Sequence, residues 1–318
     1  MVPLSNWNII KSEMEKYLER YGEIYIPDTI EKSVDDLIGL EKEKKFLDSF
    51  FMALKDYEKN KDQNLFPINV KLSALLIGPP GTGKTTLTLA LAKKYQIPVL
   101  VVFSNTLIAS LLGESLNRIR NLIRQSEKYS KEQGVMILFF DEIDAISSER
   151  ASQHEVGEIK RTVVSFLQEL DFLLEKKLPI GIIGATNHPE QLDRAVWRRF
   201  TYKLEFSMPD TQLKLEILRY FINKIKKSKN FSINFEPESV IELTEGCTGA
   251  DIERAFEIAL LYSYRNQKGS SKNQITVDIF TESISLVKGE NFNYYQSSKN
   301  KNTNKKNDDY SYLDNFSL

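Results

Sequence analysis

The sequence predicts an α/β protein: a parallel sheet flanked by helices, followed by a small all-helical domain. Three observations carry that prediction. First, Ser73-Ala74-Leu75-Leu76-Ile77 is a strand-sized apolar run, followed by a glycine loop and then by the helix formers Thr86 to Lys94. Second, Gly134 to Phe140 and Leu178 to Ala185 are almost continuously apolar, the pattern of central parallel strands covered on both faces. Third, from Thr211 onward the apolar residues recur at helical spacing: Leu213, Ile217, Leu218, Phe221 and Ile222, with further helices expected near Glu236, Gly249 and Val277.

The loop after the first strand is Gly78-Pro79-Pro80-Gly81-Thr82-Gly83-Lys84-Thr85, which fits the phosphate-binding spacing G-x-x-x-x-G-K-[ST]. Its glycines allow backbone angles that side chains forbid, so successive N–H groups can turn inward on an anion. The helix that follows adds its positive N-terminal end. Lys84 is placed to reach β- and γ-phosphates, and the Thr85 hydroxyl to hold Mg²⁺. The second core strand ends in Asp141-Glu142-Ile143-Asp144. Carboxylates at the tip of a buried strand are costly unless something there needs them. If both strands share a parallel sheet, their C-terminal ends open at one edge, where ligands bind in open α/β sheets. Asp141 then serves the magnesium shell, and Glu142 orients the attacking water. The third strand ends in Thr186-Asn187-His188-Pro189, where Asn187 can hydrogen-bond a γ-phosphate or the water beside it.

The remaining elements follow in order. Residues 5–21 read as a helix through Trp7, Ile10, Met14, Tyr17, Leu18 and Tyr21, either packed on the main domain or docking a partner. Glu23 to Asp28 reads as a linker, and 1–32 as an N-terminal helix-and-linker segment. A large domain is expected over 33–208, a helical one over 209–288, and a disordered tail rich in asparagine and lysine over 289–318. Asp35 to Leu40 leads into a helix with Phe46, Leu47, Phe50, Phe51 and Leu54 on its apolar face, and Ile97 to Phe103 reads as a strand. Ser147 to Glu155 reads as a loop, and Leu192 to Phe200 brings Arg194, Arg198 and Arg199 together.

Composition excludes several classes. The chain has 43 basic and 44 acidic residues, so no charge excess points to nucleic acid. With a single cysteine, Cys247, no internal disulfide forms, and with two histidines a histidine-rich metal site is not expected. No apolar run is long enough for a membrane span and no signal segment opens the chain, so a cytoplasmic protein is expected.

The ordered set of glycine loop, Asp-Glu-Ile-Asp, Thr-Asn, Arg-Arg-Phe and Thr248-Gly249-Ala250-Asp251 resembles an AAA+ ATPase of the AAA subgroup over roughly residues 33–288. It is similar to small stand-alone bacterial members, and Arg198-Arg199-Phe200 before a strand resembles the katanin and spastin branch. The resemblance implies a P-loop NTPase fold with a helical lid, ATP and Mg²⁺ as cofactors, and a homo-oligomeric ring, a hexamer by family precedent. By position, Pro80, Gly81, Thr82, Gly83, Lys84, Thr85 and Thr86 belong to the Walker A loop, Asp141 and Glu142 to Walker B, and Asn187 is sensor 1. Arg198 and Arg199 are implied to act on the neighbour's γ-phosphate, with the primary finger left open. Gly249 and Ala250 lie where the lid approaches the nucleotide. Ile38 and Gly39, with Ile217 beside them, lie where the adenine packs. Two departures stand out. The first pore loop has Leu111-Leu112-Gly113 in place of an aromatic, and Leu170-Asp171-Phe172 lacks the glycine that many relatives carry.

Three functions follow in order of preference. One is ring-based ATP hydrolysis driving protein unfolding, disassembly or remodelling. Another is a nucleotide-controlled assembly switch regulating a partner such as a protease. The third, a DNA-associated loader or helicase, is disfavoured by the near-neutral charge.

Overall fold

The computed structural model describes residues 4–59, 70–104, 114–147, 156–176, 178–265 and 273–302. The chain divides into two compact units, Met1–Pro209 and Asp210–Leu318.

The first unit opens with helix α1 (Leu4–Leu18), followed by strand β1 (Gly22–Tyr25) and helix α2 (Glu41–Lys59). Strand β2 (Ser73–Ile77), helix α3 (Lys84–Tyr95) and strand β3 (Val99–Phe103) come next, then α4 (Glu114–Gln133), β4 (Met136–Asp141) and a short helix α5 (Asp144–Ser147). Helix α6 (Val156–Glu175), β5 (Ile180–Thr186), α7 (Arg194–Arg199) and β6 (Tyr202–Glu205) complete it. The six strands lie in the order β1-β3-β4-β5-β2-β6. All pairings are parallel except that of β1 with β3.

Alternation along the strands explains why they read as continuous apolar runs. Leu75, Leu100, Val102, Leu138, Phe140 and Ile182 point into one core with Met14 and Leu18 of α1, Ile119 and Leu122 of α4, and Phe166 and Leu170 of α6. Ala74, Leu76, Val101, Ile137, Phe139 and Ile183 point into the other, with Phe50, Phe51 and Leu54 of α2 and Leu87 and Leu91 of α3. With both faces covered, every position must be apolar.

The N-terminal helix packs on this unit, with Trp7, Met14 and Leu18 all buried. The stretch expected as a linker is instead β1, paired antiparallel with β3 from Gly22↔Val102 to Tyr25↔Val99. A four-residue strand is too short to show a period, and Pro27, which begins a 3-10 turn, masked it. The helix α6 runs through Asp171 and Phe172 to Glu175, with no glycine to interrupt it there.

The second unit contains α8 (Thr211–Lys226), β7 (Phe231–Ile233), α9 (Gly249–Arg265), β8 (Asn273–Ile275) and α10 (Val277–Asn302). It is not all-helical: β7 and β8 form a parallel pair that turns Ile233 and Ile275 inward. The helix expected near Glu236 is two 3-10 turns, Pro237–Ser239 and Glu242–Thr244, ended by Gly246 at φ +75°. The last helix extends to Asn302, into the stretch expected to be disordered, while 303–318 lie outside the described residues.

Candidate functional site

Register decides which loops meet. Ile77 pairs with Thr186, and Phe140 with Gly184, so β2, β4 and β5 end side by side. The next residues, Gly78, Glu142 and Asn187, therefore leave the sheet at one edge.

Gly78 has φ +152°, and a Cβ there would sit 2.1 Å from the Phe206 carbonyl oxygen, so only glycine allows the loop to pass under the segment after β6. Gly81 and Gly83 are left-handed, at φ +78° and +100°. Gly83 is the N-cap of α3 and offers no side chain to cap it. Thr82 Oγ1 donates to the Pro79 carbonyl at 2.8 Å, closing the loop on itself. Pro80 and Gly81 form its exposed tip, and Thr85 and Thr86 are half-buried on the first turn of α3.

Lys84 is only 7% exposed, yet its ammonium is fully engaged. It donates to Gly78 O at 2.6 Å, Pro79 O at 2.9 Å and Asn187 Oδ1 at 2.7 Å. Burial lowers its pKa, and the nearby Asp141 and Asp144 carboxylates act in the opposite direction with smaller effect. Burial also raises the pKa of Asp141, against the hydrogen bonds from the Glu142 N–H and the Thr85 hydroxyl and the charge of Lys84. Thr85 Oγ1 lies 3.4 Å from Asp141 Oδ2.

One hydroxyl and one carboxylate side by side are hard oxygen donors. They fit Mg²⁺, which takes one or two protein ligands and completes its shell with phosphates and water. Among the described residues no group of three or more His, Cys, Asp or Glu side chains could hold a metal. The loop fits a polyphosphate equally well, through backbone N–H groups, a helix N-terminus and a buried lysine.

Glu142 is exposed at the mouth of this edge, with φ +49°. A left-handed backbone costs a side-chain-bearing residue roughly 1–2 kcal/mol. Its neighbours hold it there: the Ile143 N–H donates to Ala185 O at 2.9 Å, and Ala145 N–H to Glu142 O at 2.9 Å. Two further residues of these motifs, Asp144 and Thr186, complete the corner. Thr186 Oγ1 donates to Asp144 Oδ1 at 2.6 Å and accepts the His188 N–H at 3.0 Å. Their only sequence signal was position, one closing Asp-Glu-Ile-Asp and the other preceding Asn187.

The turn before α2 also reaches the loop. Gly39 and Leu40 are left-handed in succession, at φ +74° and +60°. A Cβ on Gly83 would meet Leu40 Cδ1 at 3.2 Å and Leu37 Cδ2 at 3.5 Å. The turn containing Ile38 and Gly39 thus packs against the last loop glycine, and Leu37 and Leu40, which carry no site role in the sequence pattern, make the contact.

The two arginines differ in surroundings. Arg199 Nε pairs with Asp171 of α6 at 2.9 Å, whereas Arg198 is exposed. In the second unit Gly249 and Ala250 open α9 behind a capping box, in which Thr248 N–H and Oγ1 each donate to Asp251 Oδ2 at 2.8 Å. A Cβ on Gly249 would lie 3.6 Å from Ile217 Cδ1. Leu111, Leu112 and Gly113 lie outside the described residues.

A sheet edge built this way, with a glycine loop, a buried lysine and paired carboxylates, defines a nucleoside-triphosphatase class of protein. Residues 74–208 match the family model described as "ATPase family associated with various cellular activities (AAA)". The fold is that of the crystal structure of the FIGL-1 AAA domain, with a TM-score of 0.64 at 23% identity, over 92% of this chain and 95% of that one. Among curated relatives, the proteasome-activating nucleotidase of Methanococcus maripaludis (strain C7) is 34% identical over 219 residues, 68% of this chain and 50% of its own. The ATP-dependent zinc metalloprotease FtsH 4 of Synechocystis is 30% identical over 282 residues, 87% of this chain and 41% of its own. The probable 26S proteasome regulatory subunit 10B of Caenorhabditis elegans is 36% identical over 198 residues, 61% of this chain and 47% of its own. The chain spans about half the length of the curated relatives it matches. Among the described residues no helix is long and apolar enough to cross a membrane.

Proposed function

We propose that this chain hydrolyses ATP to ADP and phosphate, with Mg²⁺, at a site completed by a second copy, and uses the cycle to unfold, disassemble or remodel a protein client. Lys84 and Asn187 hold the γ-phosphate, Thr85 and Asp141 the Mg²⁺, and Glu142 orients and polarises the attacking water. The turn with Ile38 and Gly39 borders the nucleoside. Arg198 is the primary finger, neutralising charge on the phosphoryl group held by the neighbouring copy, and Arg199 supports it through Asp171. The oligomer is a ring, a hexamer by family precedent, in a cytoplasmic setting.

The observation that carries this reading is the meeting of Lys84 with Asn187 at 2.7 Å beside the Thr85–Asp141 pair, while Arg198 stays exposed. Together with Glu142 and a bound Mg²⁺, Lys84, Asn187, Thr85 and Asp141 would supply what phosphoryl transfer needs within one copy except a second cation at the developing charge, which Arg198 of a neighbouring copy provides. Relatives named for activating a proteasome or for ATP-dependent proteolysis favour a protein client over nucleic acid.

The test has two parts. ATP turnover per subunit should rise with protein concentration as copies assemble, and full turnover at great dilution would end the shared-site reading. Leu111→Asp should keep ATPase activity and lose client processing, with clients captured on the Glu142→Gln form in ATP. Unchanged processing by Leu111→Asp would leave the assembly switch, with tight ATP-dependent partner binding and no threading, as the surviving alternative.

A further inference from the structure

Thr186 is 1% exposed, in a strand buried from end to end. Valine would fill the same place with equal shape and no polar atom to satisfy. Asp144, 9% exposed, is likewise a costly residue beneath a sheet edge. The two spend that cost on each other: Thr186 Oγ1 donates to Asp144 Oδ1 at 2.6 Å. The same oxygen accepts the His188 N–H at 3.0 Å, so the hydroxyl both donates and accepts. The Thr186 carbonyl accepts the Gly78 N–H at 3.2 Å. One residue thereby touches the first glycine of the phosphate loop, the turn that carries Asn187, and the acid two positions after Glu142.

We propose that Thr186 is a positioning residue for ATP hydrolysis, acting with Asp144 as a clamp that sets Glu142 and Asn187 relative to each other. The proposal rests on the ATPase reading above and adds to it. On one side, Asp144 and the Ile143 N–H fasten the chain after Glu142 to β5, fixing the left-handed backbone from which the Glu142 carboxylate projects. On the other, the His188 N–H bond closes the turn around Asn187, whose amide oxygen meets Lys84 at 2.7 Å. Losing the hydroxyl removes the side-chain tie on both sides, leaving only the Ile143 N–H bond to Ala185 O on the Glu142 side, while the loop and the lysine that bind the phosphates remain. Misplacing Glu142 on the water and Asn187 on the γ-phosphate, with the loop and Lys84 still holding the nucleotide, therefore lowers turnover more than nucleotide affinity.

The experiment compares ATP turnover and ATP affinity in wild type, Thr186→Val, Thr186→Ser, Asp144→Ala and the Thr186→Val/Asp144→Ala double variant. Thr186→Val and Asp144→Ala should each lower kcat by roughly 10–100-fold with KM within about threefold of wild type. Thr186→Ser, which keeps the hydroxyl, should recover to within about threefold. The double variant should be no worse than the poorer single one, since both remove one interaction. A fluorescent ATP analogue bound with wild-type affinity shows that each variant is folded. If Thr186→Val fails to fold, Asp144→Ala carries the test with the same readouts. A wild-type kcat in the valine or alanine variant, no recovery in the serine variant, or fully additive losses would overturn the clamp. Absence of turnover in wild type would instead overturn the ATPase reading itself.

Discussion

The ammonium of Lys84 lies 2.7 Å from the amide oxygen of Asn187, although the two are 103 positions apart in the chain. Each follows the end of a different strand, and β2 and β5 are neighbours in the sheet. That contact joins the phosphate loop to the turn after β5 and suggests what each group should do when altered.

Lys84→Ala removes a cation buried among three oxygens. A charged hydrogen bond contributes roughly 1.5–3 kcal/mol, so ATP affinity should fall by about one to two orders of magnitude. Isothermal titration with ATP checks this, and unchanged affinity would place the triphosphate elsewhere.

Glu142→Gln keeps the size of the side chain and the exposed position but removes the charge that polarises water. ATP should bind with near wild-type affinity and turn over at least about a hundredfold more slowly. Rapid-quench measurement of phosphate release distinguishes this from a binding defect. Retention of normal turnover would exclude Glu142 as the water-orienting group.

Arg198 and Arg199 should separate. Arg198→Ala should lose on the order of 10³-fold in kcat or more, as a finger does. Asp171→Ala, which releases Arg199, should lose less. Mixing Arg198→Ala with Lys84→Ala subunits should restore part of the activity, because each kind supplies what the other lacks. No recovery at any mixing ratio, with co-assembly confirmed, would mean that the arginine acts within its own subunit or not at all.

Chelation offers a further check. EDTA should abolish turnover and added Mg²⁺ should restore it. Thr85→Ala, which leaves Asp141 without its hydroxyl neighbour, should need about tenfold more Mg²⁺ for half-maximal rate. An unchanged Mg²⁺ requirement would remove Thr85 from the metal shell.

Stability has its own acid-sensitive point. Glu127 on α4 accepts from Lys131 at 2.7 Å and from Lys176 at 2.6 Å, and these bonds hold its pKa below the ordinary 4.5. A depressed carboxylate pKa contributes stability above the unfolded value and loses it as pH falls through the folded one. Glu127→Gln should therefore cost about 0.5–1 kcal/mol near neutrality, the lysine ends being solvent-exposed. The difference from wild type should close as pH falls below the ordinary glutamate range and through the depressed pKa of Glu127, in urea melts across pH. A gap that persists in acid would mean that packing, not charge, is lost.

Much of the site was legible because it is local. A glycine loop between strand and helix, and acids ending an apolar run, are chemical statements made within eight residues. The parallel sheet was legible for a related reason: strands covered on both faces must be apolar throughout, as Met136 to Phe140 is. β1 escaped notice since a four-residue edge strand has no period, and its partner, β3, is remote in sequence. The β7–β8 pair escaped for the same reason, three residues each and joined only in space.

By itself, the sequence determined the spacing of the glycine loop and that the strands before it and before Asp141 are central, because loop spacing and apolar runs are properties of neighbouring positions. Tertiary structure alone decided that Thr186 meets Asp144, that Leu40 braces Gly83, and that Arg199 is tied to Asp171 while Arg198 faces solvent. The physical reason is register: hydrogen bonds and side-chain contacts form over a few ångströms, and which distant residues come that close depends on strand order and helix packing. No local pattern encodes either.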